Sequence, residues 1–213
     1  MKRIVFRKKL TSPYFERMEF EIKFSKTDFR HMEKYVSILQ EEYKSKVGTE
    51  EVPFEVSTAA KSELGFSLSA FNLKDEKGRP VECVFQGAKK FEHGGPYIDL
   101  VDADPRAAKK DNRIRNSGKI VEFVLDGIEY PNTPKTAFYD YTYIKALIAN
   151  PKIAEQVDGL DAFQDIWFNP EKSANCQAEA MAMYRGLKDS GKLDEAMESF
   201  KAFGKIVFKV NYK

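Results

Sequence analysis

The chain has 213 residues, 42% of them hydrophobic and 32% charged, enough for one good-sized domain with a buried core. Its 35 basic and 33 acidic residues leave a formal charge of +2, which neither demands nor excludes a nucleic-acid partner. No run of about 18 apolar residues exists, so no membrane-spanning helix is expected, and the basic start MKRIVFRKKL lacks the apolar stretch of a secretory signal. Cys83 and Cys176, far apart in apolar or helical settings, suit buried thiols in a reducing cytoplasm rather than a disulfide framework.

Two strands open the chain, IVFRKKL and MEFEIKF, with Ser12-Pro13 in the turn region between them. Residues 26–46 predict a helix: Phe29, Met32, Val36, Leu39 and Tyr43 recur at spacings of three and four, Ser25 or Thr27 can cap its start, and Gly48 ends it. VPFEVSTAA is a candidate strand and GFSLSAFNL a strand or strand-to-loop element. A polar turn over 74–79 leads to Pro80, which opens a helix that Gly94-Gly95-Pro96 terminates. Asp104-Pro105 starts another helix, running to about Arg115. GKIVEFVLDGIEY reads as a strand or short amphipathic segment turning at Asp126-Gly127. After Pro134 the chain turns helical, with Phe138, Tyr141, Ile144, Leu147 and Ile148 on one stripe ending before Pro151. Asn169-Pro170 starts the next helical region, 174–187 is strongly helical, Gly191 breaks it, and 193–203 forms a further helix. KIVFKVNYK closes the chain as a strand. These elements predict one compact α+β domain, helix-rich in its second half, with strands at both termini. Residues 1–50 would pack as strands and a helix on a main domain of 51–213.

The richest stretch chemically is ECVFQGAKKFEH, residues 82–93. On a helix, Glu82, Gln86, Lys89 and His93 fall on one stripe, while Val81, Val84, Phe85, Ala88 and Phe91 can face a core. A carboxylate two turns from an amine, with an amide between, has the parts for proton transfer and for attack on a carbon centre. Polar residues at such spacing more often form a solvated face. Two basic clusters stand out: Lys2, Arg3, Arg7, Lys8 and Lys9, and then Arg106, Lys109, Lys110, Arg113, Arg115 and Lys119. Either can hold phosphates, and either can simply solubilise the surface. Phosphate-loop, dinucleotide, nucleophile-elbow and zinc-helix motifs are absent, and His31 and His93 are the only histidines. Cys83, His93 and Cys176 lack recognisable metal-ligand spacing.

The segment LSAFNLKDEKGRPVECVFQGAKKF resembles the NADAR (YbiA-like) superfamily. Ser69-Ala70-Phe71 followed by Asn72 corresponds to its strand-end motif, and Glu82, Phe85, Gln86 and Lys89 keep its helix pattern. DADPRAAKKDNRIR resembles the next family segment. LSAFNL, AFYDYTYIKAL and AFQDIWFNPEKSANCQAEA resemble one branch more closely, the NADAR antitoxins associated with DarT-type guanine ADP-ribosyltransferase toxins. The likeness spans about residues 54–187. Cys83 departs from the family's common His, Ala70 from its Asn, and Tyr141 from the Trp expected after Asp140.

The resemblance implies a cytoplasmic N-glycosidase that removes ADP-ribose from guanine in DNA, releases ADP-ribose and serves as antitoxin to a DarT-type toxin, with no metal or organic cofactor. On that basis Glu82 shuttles protons, and Lys89 either forms an imine with an opened ribose or holds ribose hydroxyls or phosphate. Ser69, Asn72, Gln86, Arg113, Asp140, Asp165, Trp167 and Asn175 are candidate substrate-binding residues. Each has a plainer role available: helix cap for the aspartates, turn for Ser69 and Asn72, core for Trp167 and Phe168, helix surface for Asn175. Two further functions fit the same residues: a glycosidase of a ribosylated small metabolite such as a riboflavin-pathway intermediate, and a non-enzymatic module that binds nucleotide or toxin.

Overall fold

A computed structural model describes residues 1–24 and 31–212. In chain order the elements are β1 (Lys2–Lys8), β2 (Phe15–Glu21), α1 (Met32–Val47), β3 (Phe54–Glu55), α2 (Glu63–Ser67), α3 (Val81–Gly87), β4 (Lys89–Phe91), a 3-10 turn (Ile98–Asp102), α4 (Pro105–Lys110), α5 (Asn112–Asn116), β5 (Ile120–Leu125), β6 (Ile128–Pro131), α6 (Ala137–Ile148), α7 (Pro151–Gln156), β7 (Ala162–Gln164), α8 (Gln177–Asp189), α9 (Leu193–Met197) and α10 (Phe200–Phe208). The α+β class stands. One sheet has the order β2-β1-β7-β3, antiparallel except for the β3–β7 pair, and the other is an antiparallel β4-β5-β6 sheet.

The centre of the molecule is the pair α6 and α8. Both are buried nearly all round, as expected of helices with no solvent face. Phe138 of α6 stacks on Phe123 of β5 at 4.3 Å, and Phe85 of α3 meets Tyr139 edge-on at 5.1 Å. A second core cluster, with Val5, Phe20, Tyr35, Leu39 and Ile166, seats α1 on the other face of the first sheet. The opening strands pair as read, and Gly48 closes α1 at φ +70°. Ser25, Thr27 and Phe29, proposed as caps and first stripe residue of that helix, lie outside the described residues. Asp126 and Gly127, both at positive φ, make the β5–β6 turn.

Several elements differ from the sequence reading. GFSLSAFNL is not a strand: Ser62 accepts a hydrogen bond from the Gly65 amide at 3.1 Å and starts the short helix α2. The helix over 105–115 is broken at Asp111, whose carboxylate accepts from the Arg113 amide at 2.8 Å and caps α5. Asn169-Pro170 begins no helix; Asn169 accepts from the Glu171 amide at 3.0 Å in a local turn, and the helix starts at Gln177. The helix over 193–203 splits at Ser199, which caps α10. The C-terminal strand does not form: residues 205–208 belong to helix α10, and 209–212 follow it outside any helix or strand. Phe200, Phe203 and Val207 lie at i, i+3 and i+7 and face the core, so tertiary burial overrides the local β-like composition.

The most consequential change falls within ECVFQGAKKFEH. The helix ends at Gly87, because the carbonyl of Ala88 accepts from the Val124 amide at 2.7 Å and β4 pairs with β5. His93 therefore leaves the stripe and is exposed beyond β4.

Candidate functional site

A cleft of about 850 Å³ opens between α3, α4, the 69–71 turn and the segment following β7, within the range of small-ligand sites. Glu82 and Gln86 reach it from α3 and Lys89 from the first position of β4. All three side chains are buried, at 5–7% exposure. They form a chain of contacts. Gln86 Nε2 donates to Glu82 Oε1 at 2.8 Å, and Lys89 Nζ donates to Gln86 Oε1 at 2.6 Å. The other carboxylate oxygen of Glu82 stands 3.5 Å from Lys109 Nζ of α4. Lys89 Nζ also sits 4.2 Å from the centre of the Phe85 ring.

Burial pulls the Lys89 amine down from 10.5 to about 8; the Glu82 charge pushes the other way and Lys109 adds to the lowering. Desolvation is the largest of these effects. A buried amine with a sizeable neutral fraction near neutral pH is a competent nucleophile.

Ser69, Asp165, Trp167 and Asn175 also line the cleft. The Ser69 hydroxyl donates to the Phe66 carbonyl at 2.8 Å and accepts from Asn72 Nδ2 at 2.8 Å. Asp165 accepts from the Trp167 amide at 2.9 Å, and burial raises its carboxyl to about 6. Behind it, Glu55 is raised to about 8 by burial and then by the Asp165 charge. Trp167 is 46% exposed at the mouth. The buried Oδ1 of Asn175 has no hydrogen-bond partner among the described residues.

Three candidates lie elsewhere. Asn72 spends its amide on Phe66 and Ser69, so it shapes the turn behind the cleft wall. Arg113 is engaged by Asp99 and Asp111 and lies over the Tyr97 ring at 4.6 Å, because the break at Asp111 carries α5 away from the cleft. Asp140 is wholly buried, set against Glu179 of α8 rather than in the cleft.

The sequence reading singled out neither Gln177 nor Tyr139, and it named Lys109 only within a basic segment. Gln177 Oε1 accepts from the Ala70 amide at 2.6 Å, and the Ala70 carbonyl accepts from the Glu82 amide at 2.8 Å. That relay ties α8 to the start of α3. Of the basic segment, Arg106, Lys109 and Lys110 reach the cleft, joined by Lys172. The i, i+3, i+4 spacing of the first three was the available signal. Among the described residues, no group of three or more His, Cys, Asp and Glu side chains is arranged to hold a metal ion. Cys83 and Cys176 are buried free thiols.

An α+β domain whose large cleft, lined by both charged and apolar side chains, holds the Glu82–Gln86–Lys89 chain of contacts defines the class as a single domain with a small-ligand-sized site. The chain belongs to the family of DarT1-associated NADAR antitoxins, whose model matches it over residues 1–213. That family is tied by its description to a DarT1 toxin. No curated protein matches the chain. No helix among the described residues is long and apolar enough to cross a membrane.

Proposed function

We propose that this protein is an N-glycosidase that removes ADP-ribose from guanine in DNA and so reverses, in the cytoplasm, the modification made by a DarT-type toxin. The observation that carries this is the buried Glu82–Gln86–Lys89 chain, with a lysine at about 8 beside a carboxylate at the cleft floor.

Glu82 takes up a proton from solvent in the cleft and passes it to the ring oxygen of the ribose attached to the base; the bond between that oxygen and the anomeric carbon breaks, leaving the carbon double-bonded to the guanine nitrogen. The neutral Lys89 amine adds to that carbon. The guanine amine departs with a proton, and the carbon is left as an imine on Lys89. Water then adds to the imine and expels the lysine amine, giving free ADP-ribose and plain guanine. Gln86 holds both reacting side chains. Arg106, Lys110 and Lys172, which line the cleft, have no ion-pair partner among the described residues, which suits a polyanionic substrate such as ADP-ribosylated DNA.

The test is incubation with a guanine-ADP-ribosylated oligonucleotide. Wild type should restore plain guanine and release ADP-ribose, whereas Glu82→Gln and Lys89→Ala should lose at least about a hundredfold in rate. Borohydride should trap a covalent adduct on Lys89. Binding without turnover by the wild-type protein would make it a binding module instead.

A further inference from the structure

Both oxygens of Glu82 are occupied by groups other than Lys89. Gln86 takes Oε1 at 2.8 Å and Lys109 stands 3.5 Å from Oε2. Lys89 is left with the amide oxygen of Gln86 at 2.6 Å. A carboxylate bonded directly to a lysine holds it protonated; an amide carbonyl does so far less. Lys109 comes from a different element, α4, its side chain is 57% exposed, and it lies 5.1 Å from the Phe71 ring at the cleft wall. It is thus a solvated cation reaching inward to a buried carboxylate.

We propose that Lys109 is a positioning residue: by engaging Glu82 it keeps that carboxylate from pairing with Lys89, and so leaves the Lys89 amine free to act as a nucleophile. This rests on the nucleophilic role given to Lys89 above. The two cations divide the work around one carboxylate, with Gln86 as the neutral spacer between them. The other charged and titratable groups facing this cleft are Arg106 and Lys110 of α4, Tyr139 of α6, and Asp165 and Lys172 of the segments after β7. Of the groups around Lys89, only Glu82 and Lys109 act on its charge appreciably, and they act in opposite directions.

The experiment needs no substrate. The intact protein is methylated with formaldehyde and cyanoborohydride between pH 6 and 10, and the rate at Lys89 is read by peptide mass. In wild type the rate should titrate with a midpoint near 8. In Lys109→Gln the midpoint should rise by roughly one unit, because Glu82 then turns to Lys89. Lys109→Arg should restore the wild-type midpoint. In a Glu82→Gln background, adding Lys109→Gln should move the midpoint much less, since the carboxylate through which Lys109 acts is gone. An unchanged midpoint in Lys109→Gln overturns the proposal. So does an equal shift in both backgrounds, which would mean plain charge repulsion.

Turnover of the ADP-ribosylated oligonucleotide is measured alongside. If turnover is absent while the Lys109-dependent shift holds, the glycosidase assignment fails and the positioning role stands. If turnover is present while the midpoint is indifferent to Lys109, the glycosidase assignment stands and the positioning role fails.

Discussion

Lys89 carries two consequences from one cause. At about 8, roughly one amine in ten is neutral at pH 7, against roughly one in three thousand for a lysine at 10.5. The rate of adduct trapping at Lys89 should therefore rise close to tenfold from pH 6 to 7 and level off above about 8. The same shift works against folding. The native state holds fewer protons than the unfolded chain between about 8 and 10.5, so stability rises with pH across that window and the full cost is present below it. Replacing Lys89 with Met removes a charge that burial opposes and keeps the volume. The variant should be more stable at pH 7 by about 1–3 kcal/mol while losing activity. Denaturant unfolding at pH 7 and 10.5 checks both halves; a variant no more stable than wild type at pH 7 would mean that Gln86 and Phe85 already offset the burial. Glu82, Gln86 and Lys89 were legible because their chemistry is local and their spacing is short. Gln177 was not, since its partner Ala70 lies 107 residues away and nothing in the chain announces the pairing.

At the level of elements, periodicity found long helices and missed breaks. α6 and α8 have a continuous apolar content that only a core helix satisfies. The short pieces around the cleft were decided by side chains and neighbours: Ser62 capping a short helix where the sequence suggested a strand, Asp111 capping where it suggested one continuous helix, and β5 capturing the chain at Ala88. Gly87 shows how closely the end of α3 lies against its neighbour. A methyl group there would stand 2.7 Å from Val101 Cγ1 and 3.2 Å from the Tyr97 carbonyl. The helix end is pressed against the 3-10 turn, and only glycine permits that approach. Gly87→Ala should force the turn and the helix apart, costing about 1–3 kcal/mol. Because Glu82 and Gln86 precede the junction and Lys89 follows it, activity should fall more than stability accounts for. Thermal melting together with turnover at a temperature where the variant is fully folded separates the two; full activity there would mean that the junction does not set the alignment of the cluster.

Across the whole molecule, stability between about pH 4.5 and 8 belongs to buried acids. The exposed ion pairs act elsewhere: Asp126, held down by Arg79, gives up its stabilisation only well below pH 4. Lys89 acts above 8. Between those limits stand Glu55, raised to about 8, and Asp165, raised to about 6; Asp140 and Glu179 are raised as well, with burial the first cause in all four. They sit at the joints of the fold. Glu55 accepts from Gln164 Nε2 at 3.1 Å and from the Ile166 amide at 3.2 Å, fastening β3 to the segment that carries Trp167. Glu179 of α8 accepts from Arg17 of β2, including an Nε contact at 3.0 Å, which works against the rise that burial imposes on its carboxyl. Asp140 of α6 faces that charge with both oxygens lacking a partner of hydrogen-bond geometry among the described residues, and burial followed by the Glu179 charge holds its carboxyl well above the usual carboxylate range. An acid raised on folding stabilises fully below its unfolded value, and that contribution is lost as pH climbs through its folded value. The melting temperature should accordingly fall between pH 5 and 8.5. Asp140→Asn keeps the shape and removes the titration, so it should flatten that slope and leave the protein more stable than wild type at pH 8. Glu55→Gln should flatten the part between about 4.5 and 8, with less gain, because the charged form of Glu55 has hydrogen-bond donors that Asp140 lacks. Melting curves for the three proteins in matched buffers decide it. A wild-type melting temperature that climbs from pH 5 to 8, or an Asp140→Asn profile parallel to wild type, would place the proton elsewhere and make the α6–α8 joint an ionised pair held by Arg17.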